Sequence, residues 1–574
     1  MTRGPAIAVV AVCLAAAADC SRPEDRDPAT LPAVPDASLA AAEDPPAAAG
    51  SDAAGEKAPK PAKAGGEIMA GVVPQETQNL YGIVEWSTAN IYEKPDLLTE
   101  RIGYFRAGTT ILLGERVKPT NPKSPKCVTG WYKLLDGEGY ICASKGFQIA
   151  SVLLQMPEQI NPPTTEELLP YRYGRVMVDF TPLYERLPSA EEEALVEKYA
   201  AEKKKAMLAL QKEKELQAVE AQKEHLKTEI LEEQKQSDHV TPEETGEAAG
   251  APEAGTADEA KATETGAGEK PPEAGETGEA GEEGEEGEEE IPFDYVGAML
   301  MRGFYLSIDS EVKWAGKRWY RTTRGKYIRF EPVLSVNPIT AHGVQLKEGE
   351  GFPVGIVLRK NIFARMWNAA GTHLVKNKDI VFDKFFGFHI YKNVTDAGKV
   401  YHQIDEEGKT FILSWSVAIL RKPHPRPPEI PEGSKWIHVD ISDQALTAYE
   451  GDMPVFVTLV SSGNEKKDPA YMTPRGLYWI ISKNVTATMA NLALDEEAYW
   501  IEDVPWTMYF YKSYALHGAF WHNVFGNMRS HGCVNLTPAD ARWLFYWTDP
   551  VVPLGWHGVY SPKKGNGTPV LVTD

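Results

Sequence analysis

Cys533 is the only cysteine after Cys142. It stands in a stretch dense with reactive groups: His517-Gly518, Trp521-His522-Asn523 and Ser530-His531-Gly532-Cys533-Val534-Asn535. A thiol attacks carbon as the thiolate, so a nucleophilic cysteine needs a base or an electropositive setting to lower a pKa of about 8.5. His517 and His531 are candidate bases nearby in sequence. Gly532 lets the backbone approach a substrate closely, and the amides around Cys533 can point at a developing oxyanion. A cysteine, a histidine and backbone donors are the minimum set for acyl transfer through a thioester. Two plainer readings compete. Three histidines and a cysteine could hold zinc, but the spacing fits no common zinc pattern and no second cysteine helps. A cysteine buried only for packing is the other, yet Ser530-His531-Gly532 is polar and turn-like, unlike a core strand.

The elements that must position this set form a mainly β, multidomain chain. The 574 residues are 43% hydrophobic, which excludes a wholly disordered protein, and the formal net charge is −22. That balance argues against a nucleic-acid partner, which would need an excess of Lys and Arg facing the phosphates. The charge is also segregated. Between Thr241 and Glu290 there are 18 acidic residues and two lysines, a net of −16, so the −22 describes a linker. From residue 78 to 156 short β-rich runs alternate with Gly and Pro, as in Ala89-Asn90-Ile91-Tyr92 and Trp131-Tyr132-Lys133-Leu134, which reads as a small barrel. Cys127 and Cys142 fall in it, and in an oxidising compartment they are expected to pair. Residues 189–236 open on a capping box, Ser189 to Glu192, and lack Gly and Pro: a long charged helix, read as a solvated rod of roughly 70 Å. The Gly/Glu-rich linker 237–291 follows, and rod and linker together read as the boundary between two halves and as a spacer. Residues 292–422 are β-rich again. Trp319-Tyr320-Arg321…Gly325-Lys326-Tyr327-Ile328 echoes Trp131-Tyr132-Lys133…Gly139-Tyr140-Ile141, and Tyr401-His402-Gln403…Gly408…Phe411-Ile412 is a fainter copy. A Pro-rich hinge at residues 423–428 leads to the last domain, 433–573, which holds eight of the 14 tryptophans.

Residues 78–156 resemble bacterial SH3-like domains through Gly108, Gly130-Trp131-Tyr132-Lys133 and Gly139-Tyr140-Ile141, and the echoes extend that resemblance to 292–422. It implies wall or partner binding, with a plain spacer as the alternative. The C-terminal resemblance is more specific. His517, twelve residues, then Ser530-His531-Gly532-Cys533-Val534-Asn535 resembles the signature of L,D-transpeptidases with a YkuD-type catalytic domain. Lys435-Trp436-Ile437-His438-Val439-Asp440-Ile441-Ser442 resembles the family's first strand, and Thr473-Pro474-Arg475-Gly476 its Thr-Pro-x-Gly turn. Tyr509 sits where many members have an active-site tyrosine. Asn535 departs from the arginine that many members carry. The resemblance implies a two-step exchange on peptidoglycan stem peptides, which serve as donor and acceptor, with no cofactor and no metal. Cys533 would be the nucleophile, His517 its base, and His531, Gly532 and the Cys533 amide the shapers of the oxyanion site. Ser530 and Asn535 would brace the loop, with Tyr509 a contributor. His522 is not part of the general signature. An L,D-carboxypeptidase, an enzyme anchoring proteins to the wall, and a non-catalytic wall-binding scaffold are the alternatives.

Residues 1–20 read as a secretory signal: Arg3, a short apolar run and small residues before the cut, too short to span a bilayer. Cys20 is a candidate lipid anchor, with cleavage after Ala18 as the alternative because Asp19 departs from the lipoprotein pattern. Residues 21–77 are an Ala/Pro-rich tether, expected to be disordered because so little apolar surface cannot offset ordering entropy. The expected location is the periplasm or cell envelope.

Overall fold

The computed structural model describes residues 80–574 except 86, 124, 126, 136–137, 144–145, 153–158, 238–290, 348–350, 422, 492–497 and 562–564. The signal 1–20, Cys20, the tether 21–77 and most of the linker 237–291 lie outside the described residues. The rest is mainly β, with two α-helices among the described residues.

The first β module closes on itself. The strand Leu80–Val84 pairs with both Thr110–Val117 and Phe147–Ala150, while Thr88–Tyr92 pairs with Arg101–Arg106 and Tyr140–Cys142. Alternating residues such as Ile91, Phe105, Leu113 and Ile141 fill its interior. Cys127 and Cys142 are disulfide-bonded across it. The core is completed from the other end of the chain: Trp556 and Val559 pack into it, and Gly103 and Tyr104 pair with Val559 and Gly558. A side chain at Gly103 would meet the Trp556 ring at 2.4 Å, so the close strand crossing needs glycine there.

The second module corrects the domain boundaries expected from sequence. Arg172–Val176 pairs with Tyr305–Trp314 and with Val333–Val336, and Thr181–Tyr184 pairs with Val296–Leu300. The long helix Ala190–Ser237 and residues 238–290 therefore leave one module and return to it. Glu185 N–H donates to Tyr295 O at 3.0 Å, so the exit and re-entry points are neighbours. The rod is not a boundary between halves, and it cannot lengthen the path from the N-terminus to Cys533, because its two attachments coincide. Its capping box is formed: Ser189 N–H donates to Glu192 Oε2 at 2.7 Å, and Glu192 N–H to Ser189 Oγ at 3.2 Å. Among its described side chains only the root is buried. Val196 packs with Tyr184 and Trp319, and Glu193 pairs with Lys317 and Arg329. No described helix is both long and apolar enough to cross a membrane.

Residues 354–420 form a third module of two small sheets, so the single region 292–422 expected from sequence is two objects. The three echoed phrases do share a structure. Each is a strand, a glycine turn and a partner strand, with Gly139, Gly325 and Gly408 at positive φ. The Pro-rich segment is docked rather than hinged: His424 N–H donates to Tyr449 OH at 2.8 Å and Arg426 pairs with Asp452.

The C-terminal domain has a six-stranded sheet that includes Lys435–Asp440, Ala445–Glu450, Met453–Leu459 and Pro569–Thr573. A second layer runs through Ser482–Asn491, Tyr499–Tyr511, Tyr514–Gly518 and Val534–Leu536. The helix Pro538–Trp547, capped by Thr537 Oγ1, buries Ala541, Leu544 and Phe545 against the core they share.

At the junction of modules Asp503 accepts from Arg106 Nη2 at 2.9 Å, Ser307 Oγ at 2.5 Å, Thr323 Oγ1 at 2.8 Å and Thr486 Oγ1 at 3.0 Å. Removing one partner of a buried pair leaves an uncompensated charge. Arg106→Met should therefore cost about 3–5 kcal/mol of stability in denaturant unfolding, and adding Asp503→Asn should recover part of it. Replacing residues 204–290 by a short Gly/Ser loop should leave the thermal midpoint nearly unchanged, because the buried helix root is retained and the ends it joins are already adjacent.

Candidate active site

The site is built on three neighbouring strands. Tyr499–Tyr511 and Tyr514–Gly518 are antiparallel, with Tyr509 opposite Ala515. Tyr514–Gly518 and Val534–Leu536 are parallel, with Leu516 opposite Val534 and His517 opposite Asn535. That register sets Cys533 beside Ala515, with Tyr509 on Ala515's other flank. Side chains two apart on a strand share a face, so His517 lies one step along the same face as the thiol. The small Ala515 keeps this row open. Nothing in a sequence pattern reveals the pairing, since it depends on which strand becomes whose neighbour.

The thiol rests on the backbone of the middle strand. Cys533 Sγ donates to Ser513 O at 3.7 Å, and the Ala515 backbone offers a hydrogen bond that favours the thiolate. Burial nevertheless pushes the thiol up to about 11, with the Ala515 bond opposing it. Burial drives His517 down to about 4, opposed by its bond to Gly518. The ring is 2% exposed, and its Nδ1 meets Gly518 O at 3.4 Å. A proton on Nδ1 leaves Nε2 free to accept. The two shifts run in opposite directions, so at neutral pH the resting pair is thiol and imidazole, not thiolate and imidazolium. Tyr509 is held up to about 12, first by burial and then by Cys533 and Tyr499, so its phenol keeps its proton beside the sulfur.

The loop before the cysteine is held by a short set of bonds. Ser530 Oγ accepts from Gly532 N–H at 3.1 Å and donates to Cys533 O. The Gly532 amide is thus committed to Ser530. Thr473 Oγ1 accepts from Gly463 N–H at 2.9 Å and donates to Gly532 O at 2.8 Å, so the Thr-Pro-Arg-Gly turn is tied to the loop by one hydroxyl. Gly532 has φ 128°, and a side chain there would strike the Tyr514 ring at 2.5 Å. His531 lies between Tyr471, centroid distance 4.3 Å, and Tyr499, 4.9 Å. Asn535 bridges to Ser461 through both backbone bonds, and its side-chain amide meets His522 Nε2 at 2.9 Å.

The structure therefore gathers Cys533, His517, Ser530, Gly532, Asn535 and Tyr509 around one row, with His531 on the loop between two tyrosines. Sequence reasoning gave His522 no role, and the structure makes it the partner of Asn535. It also missed Ala515 and Ser513, which act through backbone atoms that carry no residue signature. Chemically, a thiol with a neutral imidazole one step away and a protonated phenol beside it can attack a carbonyl while passing its proton to nitrogen.

The chain carries a catalytic domain of the L,D-transpeptidase family. Residues 434–572 match YkuD, the L,D-transpeptidase catalytic domain. A Bacillus subtilis (strain 168) protein named "Putative L,D-transpeptidase YciB" is 26% identical over 135 residues, covering 21% of this chain and 63% of that one. The chain thus spans a little under two thirds of the length of that curated relative. Among solved structures, the catalytic domain of an Enterococcus faecium L,D-transpeptidase is 26% identical, with 25% of this chain and 98% of that one covered and a TM-score of 0.19. An L,D-transpeptidase from Mycobacterium smegmatis is 19% identical, with 31% and 80% covered and a TM-score of 0.20.

Alkylation of Cys533 by iodoacetamide should keep accelerating above about pH 9, because the thiol titrates high. A cysteine–histidine ion pair would instead plateau below about pH 7. Thr473→Val leaves the Gly463 amide and the Gly532 carbonyl without their shared partner, at about 1–3 kcal/mol for each buried group. It should lower the turnover of Cys533 at least about tenfold while the alkylation profile keeps its shape.

Proposed function

We propose that this protein is an exported peptidoglycan L,D-transpeptidase that forms 3→3 cross-links through a thioester on Cys533. The observation that carries the proposal is the row Tyr509, Ala515, Cys533 with His517 one step along, inside a domain that matches the family. In the first half-reaction Cys533 Sγ bonds to the carbonyl carbon of the third residue of a donor tetrapeptide, and His517 Nε2 takes the thiol proton. The C–N bond to the terminal D-alanine breaks, and the departing amine takes that proton from His517. In the second half the amine of another stem attacks the thioester carbon and gives its proton to His517, and the thiol leaves and recovers it. The Ala515 amide steadies the developing thiolate. With the Gly532 amide engaged by Ser530, the Cys533 amide is the donor of that turn assigned to the oxyanion.

The neutral resting pair suits this chemistry. An imidazole driven low is a weak base toward bulk water but returns its proton readily to a leaving amine. The half-buried thiol stays protonated at rest and loses its proton only as it attacks a substrate carbonyl. Export is supported by the Cys127–Cys142 disulfide in the first module and by the N-terminal signal pattern. The three accessory modules hold the catalytic domain rather than tether it.

Incubating the full chain with tetrapeptide muropeptides, with products read by mass, tests this. A dimer that forms with loss of D-alanine is expected. It should vanish with Cys533→Ala and fall about 10²–10⁴-fold with His517→Ala, the range for a lost general base. Free tripeptide without dimer would make the protein an L,D-carboxypeptidase, and neither product would overturn the proposal. Covalent labelling of Cys533 by a carbapenem is the faster companion measurement.

A further inference from the structure

The ground beside His517 is basic although the chain as a whole is acidic. Three cations lie on or against the loop that follows His517, from three parts of the fold. Arg175, on the second-module strand Arg172–Val176, sets its guanidinium 5.9 Å from the Tyr305 ring centroid, and its Nε is buried with no hydrogen-bond partner. Tyr305 lies 6.4 Å from Trp521, which stacks on His517 at 5.7 Å and meets His522 at 6.2 Å. Lys384 of the third module approaches the same loop and donates from Nζ to Asn523 O. Arg529, exposed and two residues ahead of His531, has its backbone held by an amide bond to Ser462 O at 2.8 Å.

The electrostatics agree with that geometry. Burial holds the Tyr305 phenol above its ordinary range, while Arg175 and Arg529 both pull it back. Burial, then Arg529, then His517 and Lys384 hold His522 down to about 3. Burial and the neighbouring Lys360 hold Lys384 below the usual lysine range. No carboxylate contributes at Tyr305 or His522, and among the described residues Arg175, Arg529 and Lys384 make no ion pair. Cations set along one loop without a carboxylate partner, one with a buried unmet donor, are suited to an anion.

We propose that Arg175, Arg529 and Lys384 form an anion subsite on the His517 side of the thiol that receives a carboxylate of the peptide substrate. The choice of a peptide carboxylate rests on the transpeptidase reading. The guanidinium fork of Arg529 matches carboxylate geometry, and Lys384 adds a point charge. The subsite spans the catalytic domain and two accessory modules, so the modules contribute to recognition as well as to support.

The test compares alkylation of Cys533 in the full chain by iodoacetate and by iodoacetamide, an anionic and a neutral reagent of similar size, with the modified peptide read by mass. The expected ratio of the two rates exceeds that of free cysteine at low salt. It should fall about twofold for each of Arg529→Gln, Arg175→Gln and Lys384→Gln, collapse in the triple variant, and disappear in high salt. Arg175→Lys should keep the ratio, which separates charge from packing. An equal ratio in the parent and the triple variant overturns the subsite. With tetrapeptide muropeptides the same substitutions should raise KM more than they lower kcat, and amidating the substrate carboxylates should abolish that sensitivity. If the alkylation ratio shifts but no muropeptide is processed, the subsite stands and the transpeptidase reading falls. If muropeptides are processed and the ratio does not move, the subsite falls.

Discussion

Asp503 is a fully buried carboxylate, and a buried charge is tolerable only where several donors converge on it. Here they come from separate parts of the chain. Arg106 belongs to the first module, Ser307 and Thr323 to the second, and Thr486 to the catalytic domain's own neighbouring strand. Tyr173 of the second module adds a bond from its phenol to the Asp503 carbonyl at 2.5 Å. Burial alone would raise this carboxyl, but Arg106 and the hydroxyl donors outweigh it and hold the group well below the usual carboxylate range. Asp503 also has φ 52°, a left-handed backbone that Asp tolerates better than most residues. These demands meet in one residue of the strand Tyr499–Tyr511, so the strand cannot shift without breaking contacts to two modules. The same strand carries Tyr509 to the thiol.

From that fixed strand the site follows by register. Ala515 is placed by Tyr509, Cys533 by Ala515, and His517 by alternation. The loop between His517 and Cys533 would otherwise be a long free excursion, and its length is held from outside. Tyr305 of the second module rests on Phe520 at 5.6 Å and on Trp521, and Phe385 of the third rests on Phe525 at 5.5 Å. Aromatic contacts of this kind add about 0.5–1.5 kcal/mol each beyond their burial. Their larger effect here is to fix the loop that joins His517 to Cys533. The second and third modules therefore support the candidate site.

The acidic excursion has a different standing. It departs from the second module beside the place where it returns, and its described helix is buried only at the root. There Glu193 is paired and Val196 is buried, while Leu208, Leu216 and Leu226 further out face solvent. Most of the chain's net negative charge belongs to residues 241–290, so the ground around His517 can carry the opposite local sign.

Much of this protein is determined by local sequence. The capping box at Ser189, the glycine turns at Gly139, Gly325 and Gly408, and the pairing of Cys127 with Cys142 all depend on residues close together in the chain, and the structure contains each as expected. The candidate residues from His517 to Asn535 could be singled out for the same reason, because they form one continuous stretch, whereas Tyr509 comes from another strand and was suggested by the resemblance alone. The sequence could not say that residues 172–184 belong with residues 296–336, since strand pairing across a long excursion depends on nonlocal geometry. Nor could it show that Arg106 would neutralise Asp503, or that Ala515 and Ser513 would hold the thiol through backbone atoms, which every residue shares. Residue types determined what chemistry was available. Only the tertiary structure decided which groups face one another, because contact, burial and the resulting pKa shifts are properties of the packed assembly and not of the chain.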